Sequence, residues 1–447
     1  MLTLTALFTR FWNLGYPNGI VFDEVYFREF ASNYLSGQYF MDIHPPLVKL
    51  LIAGIGGIFG FTPEQIASGD EATTALRTLP ALAGALLVPL VYIIVRQLGA
   101  SRHMATLGGL LVLLDGALLV ESRFVLMDSM LLLFGLGAVS CYLAMRKAEG
   151  SVRWAWLIAL SACAGVVAST KWSGLAVIFV LALAWLVEGI LHKSKWKSML
   201  AEFAVVAGVV AAIYASCFAL HFALLPKSGE GDSFMSIHFQ STLVGNRYHD
   251  VLRPANYWDK LIETNGVMYG SQSSLEAVGH PYSSKWFTWP MMARTVYYWQ
   301  GDEVNGKQGH IYLLGNPVVW WGTTSMVFTA VAMLTLGHRL IRRRRKVLLF
   351  LVAGYAVNLL PFALINRPMF LYHYFFALLF AILISCVLGG ILLDELAKRK
   401  GKRLANHVYW AIAIIVFASF LYFLPVFYGW PLTLVELERY MWLPSWR

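Results

Sequence analysis

The stretch Gly19–Leu51, GIVFDEVYFREFASNYLSGQYFMDIHPPLVKLL, gathers Asp23, Glu24, Glu29, Asp42 and His44 in a chain that is only 13% charged. A carboxylate can take the proton of a hydroxyl, general-base help worth about 10²–10⁴-fold in rate. The competing reading is structural. Asp before a helix caps free N–H groups, and Glu in the first turn suits the helix dipole. Neighbouring helical residues point about 100° apart, so Asp23 and Glu24 do not share one task. Glu24 either tunes Asp23 or binds a peptide. Asp42 and His44 are candidate substrate contacts; a solvated loop acid and a hydrogen-bonded interfacial His are the alternatives.

Other ionisable residues recur at the edges of apolar runs. Arg77 lies in ATTALRTLPALAG, Arg123 with Glu121 and Asp128 in VESRFVLMDSMLL, Lys171 in STKWSGL, and Arg367 and His373 in NRPMFLYHYFF. Such residues are costly in a membrane and are functional-site hypotheses by default. The cations can hold a departing phosphate; snorkelling anchors or a structural ion-pair network are the alternatives. GHPYSSKWFTWPMMARTVYYW brings His280, Tyr282, Trp289 and Arg294 together. It reads as a platform for a lipid carrier, sugar or peptide, or as an interfacial aromatic belt. No His-x-x-x-His or carboxylate cluster argues for a metal, and no cofactor is implied. A divalent ion at Asp23, Glu24 and Asp42 is the weaker alternative, since Arg and Lys suffice for phosphate.

The elements that position these residues follow from composition. With 58% hydrophobic residues and mean hydropathy +0.61, the chain reads as an all-α polytopic membrane protein. Apolar runs fall at 1–14, 76–98, 104–121, 124–145, 152–170, 172–191, 199–225, 311–337, 347–365, 370–394 and 407–428. That makes about eleven spans. The first is short and carries Arg10, and the sequence reads as starting inside a longer span. Basic clusters sit at Arg96/Arg102/His103, Arg146/Lys147/Arg153, His192/Lys193/Lys195/Lys197, His338–Lys346 and Lys398–Arg403. With a cytoplasmic N-terminus all of them fall on one side, as positive loops should. That alternation argues against a nucleic-acid surface. Loops 15–75 and 226–310 then lie outside. Their acids and aromatics favour an enzyme at the outer face over a transporter, whose polar groups sit in broken helices near the midplane. The four cysteines, Cys141, Cys163, Cys217 and Cys386, lie inside apolar runs and read as hydrophobic filler.

Within the first loop, Phe27, Phe30, Ala31, Tyr34 and Leu35 form one apolar helical face, closed by Gly37. His44-Pro45-Pro46 breaks the chain, and Leu47–Phe59 starts a second short helix. The loop reads as two interfacial helices hinged at His-Pro-Pro, with Asp23 and Glu24 at the head of the first.

FDEVYF…FMDIHPPLVKLLI, LRTLPALAG, ESRFVLMDSMLL, TKWSGL, HPYSSKWFTWP and RPMFLYHY occur in this order. Together they resemble the protein O-mannosyltransferase family, membrane glycosyltransferases of GT-C architecture. The resemblance covers nearly the whole chain and implies one catalytic domain over 1–447. It implies Asp23 as the catalytic residue, Glu24 as the neighbouring acid and Arg77 as the second-span arginine. The implied donor is a polyprenyl-phosphate mannose. The implied acceptor is a Ser or Thr hydroxyl of a protein emerging on the outer side, with association with the Sec translocon. Eukaryotic members carry a MIR domain in the large loop; 226–310 is too short for one, which suits a bacterial-type member in the plasma membrane. The family's Tyr-His-Tyr-Leu-Pro reads Tyr372-His373-Tyr374-Phe375-Phe376 here, which leaves the role of His373 open. A related lipid-linked sugar transferase with a lipid or glycan acceptor, and a transporter of lipid-linked sugar, are the rival readings.

Overall fold

In hydrocarbon every backbone N–H and C=O must be satisfied within its own segment, so apolar runs of this length fold as helices. The computed structural model describes residues 1–68, 71–191, 196–250, 254–274 and 279–447; most of the basic cluster at 192–197 lies outside them. The helices run α1 (Leu2–Phe11), α2 (Glu24–Ser36), α3 (Leu47–Ile58), α4 (Pro63–Ser68), α5 (Thr73–Gln97) and α6 (Arg102–Leu113). Then come α7 (Gly116–Ser122), α8 (Asp128–Met145), α9 (Gly150–Ala168), α10 (Leu175–Leu191), α11 (Trp196–Leu224) and α12 (Ile237–Gln240). The last six are α13 (Tyr257–Ser274), α14 (Pro317–Thr335), α15 (Arg345–Val357), α16 (Phe375–Lys400), α17 (Lys402–Tyr428) and α18 (Leu434–Glu438). Among the described residues nine helices are long and apolar enough to cross a bilayer, or ten if the bent pair α6–α7 is one span. The shorter apolar helix α1 accounts for the remaining run read from the sequence.

Two features depart from the expected helices. The run read as 104–121 is bent by 59° between α6 and α7. The cause is Asp115, whose Oδ1 accepts Leu118 N at 3.0 Å and starts a new helix. Its Oδ2 accepts Asn316 N at 3.0 Å and Trp320 Nε1 at 2.7 Å. The carbonyls freed by the break are recaptured: Arg10 Nη1 and Nη2 donate to Leu113 O and Val112 O, and Asn316 Nδ2 to Leu114 O. The run read from 311 begins instead as a strand. β1 (Val296–Gln300), β2 (Gln308–Leu313) and β3 (Pro431–Leu432) form a small antiparallel sheet, with Val296 opposite Leu313 and a bulge between Tyr297 and Trp299. A small β-hairpin with a third short strand is therefore added to the helical bundle.

The core centres on α16, buried continuously from Phe375 to Ile384. α2 and α3 lie at the end of the bundle as the two short helices expected. Gly37, at φ +79°, closes α2, its N–H donating to Asn33 O at 2.8 Å. Leu47 N donates to Ser169 O at 3.1 Å, which fastens the His-Pro-Pro hinge to the end of α9.

Candidate active site

Asp23 occupies the cap position of α2 but makes no side-chain cap hydrogen bond. Among the described residues its carboxylate also has no ion pair. The structural alternative for this residue, a helix cap, therefore lacks its defining bond. Asp23 instead lines a cavity of about 400 Å³ together with Asp42, His44, Glu121, Asp128, Lys171 and Tyr372. Burial pushes its carboxyl up to about 6, with Lys171 opposing and Asp128 adding to the shift. Phe22, just before it, holds φ +50°, an uncommon conformation for a bulky side chain. Its ring stacks on Tyr298 at 4.3 Å, and Tyr298 OH donates to Glu121 Oε2 at 2.6 Å. A strained residue beside an unpaired carboxylate is a functional-site signature.

Further lining residues come from the helix ends. Lys171, in extended backbone after α9, donates to Asp128 Oδ1 and Oδ2 at 3.1 and 3.2 Å and sits 5.3 Å from the Tyr372 ring centroid. Asp128, Lys171 and Tyr372 also wall a smaller neighbouring cavity that reaches His373, Asn358 and Phe362. Asp42 is paired with Lys49, which also donates to His44 O at 2.5 Å. Burial opposes ionisation of Asp42, but the charge and hydrogen bond of Lys49, with the Ile43 backbone N–H, outweigh it and hold the carboxyl below its usual range. Burial lowers His44 to about 3, Asp42 opposing and Lys171, Lys49 and Arg367 reinforcing, so it is neutral at pH 7.

Arg367 is half-buried and acts electrostatically on Tyr372 and His44. Among the described residues it has no hydrogen bond or ion pair. His373 is oriented by Nδ1, which either accepts from Phe370 N or, in the other tautomer, donates to Phe370 O, and by Trp289, whose ring lies nearly parallel to it at 5.9 Å.

Other expected contacts are placed elsewhere. Glu24 is fully buried. Its Oε1 accepts Arg77 Nε and Val125 N, both at 2.8 Å, and its Oε2 accepts Arg77 Nη2 at 2.7 Å and Val21 N at 2.9 Å. Arg77 Nη1 donates to Leu14 O and Pro17 O, and Nη2 also to Gly19 O. With all its N–H groups spent, Arg77 has none for a phosphate. Arg123 caps the end of α1 through the carbonyls of Thr9, Arg10, Trp12 and Asn13, and stacks on Tyr428 at 4.6 Å. These geometries correct the expectation of phosphate contacts at Arg77 and Arg123 and of a peptide contact at Glu24. Trp289 is likewise no exposed platform: it is fully buried, donating to Ser284 Oγ at 2.9 Å. His280 and Tyr282 stand by Phe370 and Tyr297, and neither they nor Arg294 line the two cavities. Phe22 and Tyr372 are among the wall residues not named as contacts from sequence, and Tyr298 supports the wall through Phe22 and Glu121. Phe22 had a signal, its place directly before the Asp-Glu pair.

Among the described residues no group of three or more His, Cys, Asp or Glu is arranged to hold a metal. The arrangement brings the Asp23 carboxylate and the Lys171 ammonium to one cavity, with Arg367 acting on it electrostatically through Tyr372 and His44.

Comparison with known proteins fits this geometry. Residues 1–226 match the family model described as dolichyl-phosphate-mannose-protein mannosyltransferase, and 257–446 match the C-terminal four TMM region of protein-O-mannosyltransferase. Over 282 residues the chain is 34% identical to dolichyl-phosphate-mannose--protein mannosyltransferase 4 of Candida albicans, covering 58% of this chain and 37% of that one. Over 261 residues it is 35% identical to protein O-mannosyltransferase 1 of Drosophila melanogaster, covering 55% and 30%. The chain thus matches well under half the length of these relatives. The Saccharomyces cerevisiae protein O-mannosyltransferase Pmt1-Pmt2 complex bound to the sugar donor superposes with TM-score 0.89 at 21% identity, over 100% of this chain and 92% of that one. The Archaeoglobus fulgidus oligosaccharyltransferase in the apo form gives TM-score 0.52 at 16% identity, over 95% and 54%. The fold is the GT-C fold of multi-pass membrane proteins. With the first match spanning residues 1–226 of 447, the chain belongs to the dolichyl-phosphate-mannose-protein mannosyltransferase family.

Proposed function

We propose that this chain transfers mannose from a polyprenyl-phosphate mannose to Ser or Thr hydroxyls of proteins, as one GT-C catalytic domain. Asp23 is the general base. The acceptor hydroxyl gives its proton to the Asp23 carboxylate while its oxygen attacks the anomeric carbon. The bond from that carbon to the phosphate oxygen breaks, and the electron pair leaves with the lipid phosphate. One displacement inverts the anomeric centre. The leaving phosphate is a weak base, so no general acid is required; it needs positive charge. Lys171, from the cavity lining, supplies it, with Arg367 adding positive charge from outside the lining and His373 in the adjoining cavity, while Arg77 and Arg123 hold the scaffold. The observation that carries this reading is the Asp23 carboxylate, which among the described residues has no cap bond or ion pair and lines a cavity together with Lys171. A base is best tuned near the working pH, and about 6 leaves Asp23 ionised yet basic at neutrality.

The test is transfer of radiolabelled mannose from polyprenyl-phosphate mannose to a Ser/Thr peptide by the purified chain. Donor hydrolysis or transfer to lipid without peptide labelling would favour the related transferase reading; uptake of intact donor would favour transport. We place the chain in a bacterial plasma membrane with the cavity outside, near the Sec translocon, because its basic loops alternate and its large loop is short. The exposed hairpin turn gives the probe: Val304→Cys is expected to react with an impermeant thiol reagent on intact cells. Labelling only after permeabilisation would reverse the orientation.

A further inference from the structure

Asp128 and Lys171 mark one end of the bundle. From Asp128, α8 runs 18 residues to Met145, about 27 Å at 1.5 Å per residue. At that far end stand Arg146 and Arg153, whose only use so far is to orient the chain. Arg146 pairs with Glu188 at 2.5 Å, and Arg153 with Glu202 at 2.7 Å. Tyr142 OH donates to Glu188 Oε2 at 3.1 Å, and Trp185 Nε1 to Glu202 Oε2 at 2.8 Å. These groups line a cavity of about 510 Å³. A second cavity of about 290 Å³ continues from it, sharing Tyr142, Met145, Trp185 and Glu202. Its other walls are apolar side chains of α9, α10 and α11, among them Leu160, Leu181, Phe203 and Val206. α10 and α11 touch at their tips, where a Cβ on Gly189 would lie 2.3 Å from Met199 Cε. The slot opens between them, with Ala182 and Ala207 exposed at its mouth. No residue of either cavity lines the Asp23 site.

We propose that these joined cavities bind a zwitterionic phospholipid of the adjoining leaflet. One acyl chain fills the apolar slot, the phosphate meets Arg146 and Arg153, and the ammonium faces Glu188 and Glu202. The charge at the mouth selects this class. Two guanidiniums and two carboxylates stand together, so a net-anionic head group meets two like charges and a cationic one meets two others. A head group carrying both signs complements both pairs, and guanidinium is well suited to phosphate. Arg146 keeps 44% and Arg153 34% of its side chain exposed, so both are reachable from the leaflet. A free head group alone would leave the slot unfilled, which is why the ligand is an intact lipid.

The test is photo-crosslinking of the purified full chain with phosphatidylethanolamine carrying a diazirine in one acyl chain, followed by peptide mapping. Adducts are expected on α10 and α11. Unlabelled phosphatidylethanolamine and phosphatidylcholine should compete, and phosphatidylglycerol should compete about fivefold less well. Ala207→Trp, which fills the slot, should cut these adducts about fivefold while peptide mannosylation stays near wild type. Should Ala207→Trp fail to fold, the head-group competition on wild type decides the matter. Equal competition by phosphatidylglycerol would overturn the proposal. So would adducts no denser than on the lipid face of α17 at Ile414 and Phe417, or a cross-linked dimer through α10 and α11 in place of lipid adducts.

Discussion

Asp23 and Glu24 are adjacent acids at the head of one helix, yet they stand in opposite surroundings. Glu24 is closed in by Arg77, Val21 N and Val125 N, and both its oxygens are used. Asp23, one residue earlier, has neither cap bond nor ion pair among the described residues and lines the cavity. The same contrast separates the arginines. Arg77 and Arg123 spend their N–H groups on carbonyls where α1 ends and the chain turns toward α2, whereas Arg367 keeps its own unspent among the described residues. Charge near a membrane therefore has two uses. One replaces hydrogen bonds that broken helices lose in hydrocarbon; the other stays available for a substrate.

The widest break in this contrast comes from the two acids themselves. Asp23→Asn keeps shape but cannot accept a proton, so turnover should fall about 10²–10⁴-fold. Its fold should not suffer. A carboxyl raised to about 6 favours the protonated form in the folded state, so its stabilising contribution is full below the usual value of 3.8 and is lost as pH rises through about 6. At pH 7 a neutral Asn is thus no less stable, by thermal unfolding, than the aspartate it replaces. Turnover near wild type would remove Asp23 as the base.

Arg77→Ala tests the other half. It strips Glu24 of its bidentate partner and leaves Arg28, at 3.8 Å, as the remaining counter-charge, a loss of up to about 3–5 kcal/mol. The expected result is a lower unfolding temperature and less folded protein, with donor affinity of the surviving fraction unchanged. Replacing both partners, Glu24→Gln with Arg77→Met, should recover part of that stability. Weakened donor binding at unchanged stability would return Arg77 to the phosphate. A milder perturbation is pH. Because Asp23 must be ionised, the rate should drop about tenfold per unit below pH 6 and level off above it. A profile flat down to pH 5 would contradict the assignment.

Hydropathy made the spans legible because each is decided by its own twenty or so residues. The first-loop helices were legible for the same reason, from the Phe27-Phe30-Ala31-Tyr34 face and the stop at Gly37. What escaped depends on distant partners. Arg77 and Lys171 look alike in sequence, as single cations at the edge of apolar runs. Only the fold brings Leu14, Pro17 and Gly19 carbonyls to the first and leaves the second on a cavity wall. Asp115-Gly116 inside an apolar run was the available sign of the bend, since Asp is a strong helix starter. Trp289 belongs to an aromatic-dense stretch that reads as a substrate platform or an interfacial belt, yet the loop folds it onto His373. The hairpin was hidden because Ile311–Leu314 is as apolar as the span that follows it.

That hairpin carries the smallest effect, at the join between the two regions. Tyr298 stacks on Phe22 and donates to Glu121, so it touches both the strained residue before Asp23 and the cavity wall. Tyr298→Phe keeps the ring and removes the hydroxyl. Glu121, buried, then loses a hydrogen bond whose absence costs about 1–3 kcal/mol. Part of that cost should appear as a fall in turnover of about three- to tenfold, with donor affinity unchanged. Tyr298→Leu also removes the stack that supports Phe22 at φ +50° and should lower turnover further. The ratio of the two separates the roles. If Tyr298→Phe is silent and Tyr298→Leu is impaired, the hairpin positions Asp23 by packing alone. If both are impaired, the hydroxyl bond to Glu121 sets the cavity wall as well. If neither changes initial-rate transfer to a Ser/Thr peptide, the hairpin has no part in placing Asp23, and the strained Phe22 must be held by α2 and its own loop.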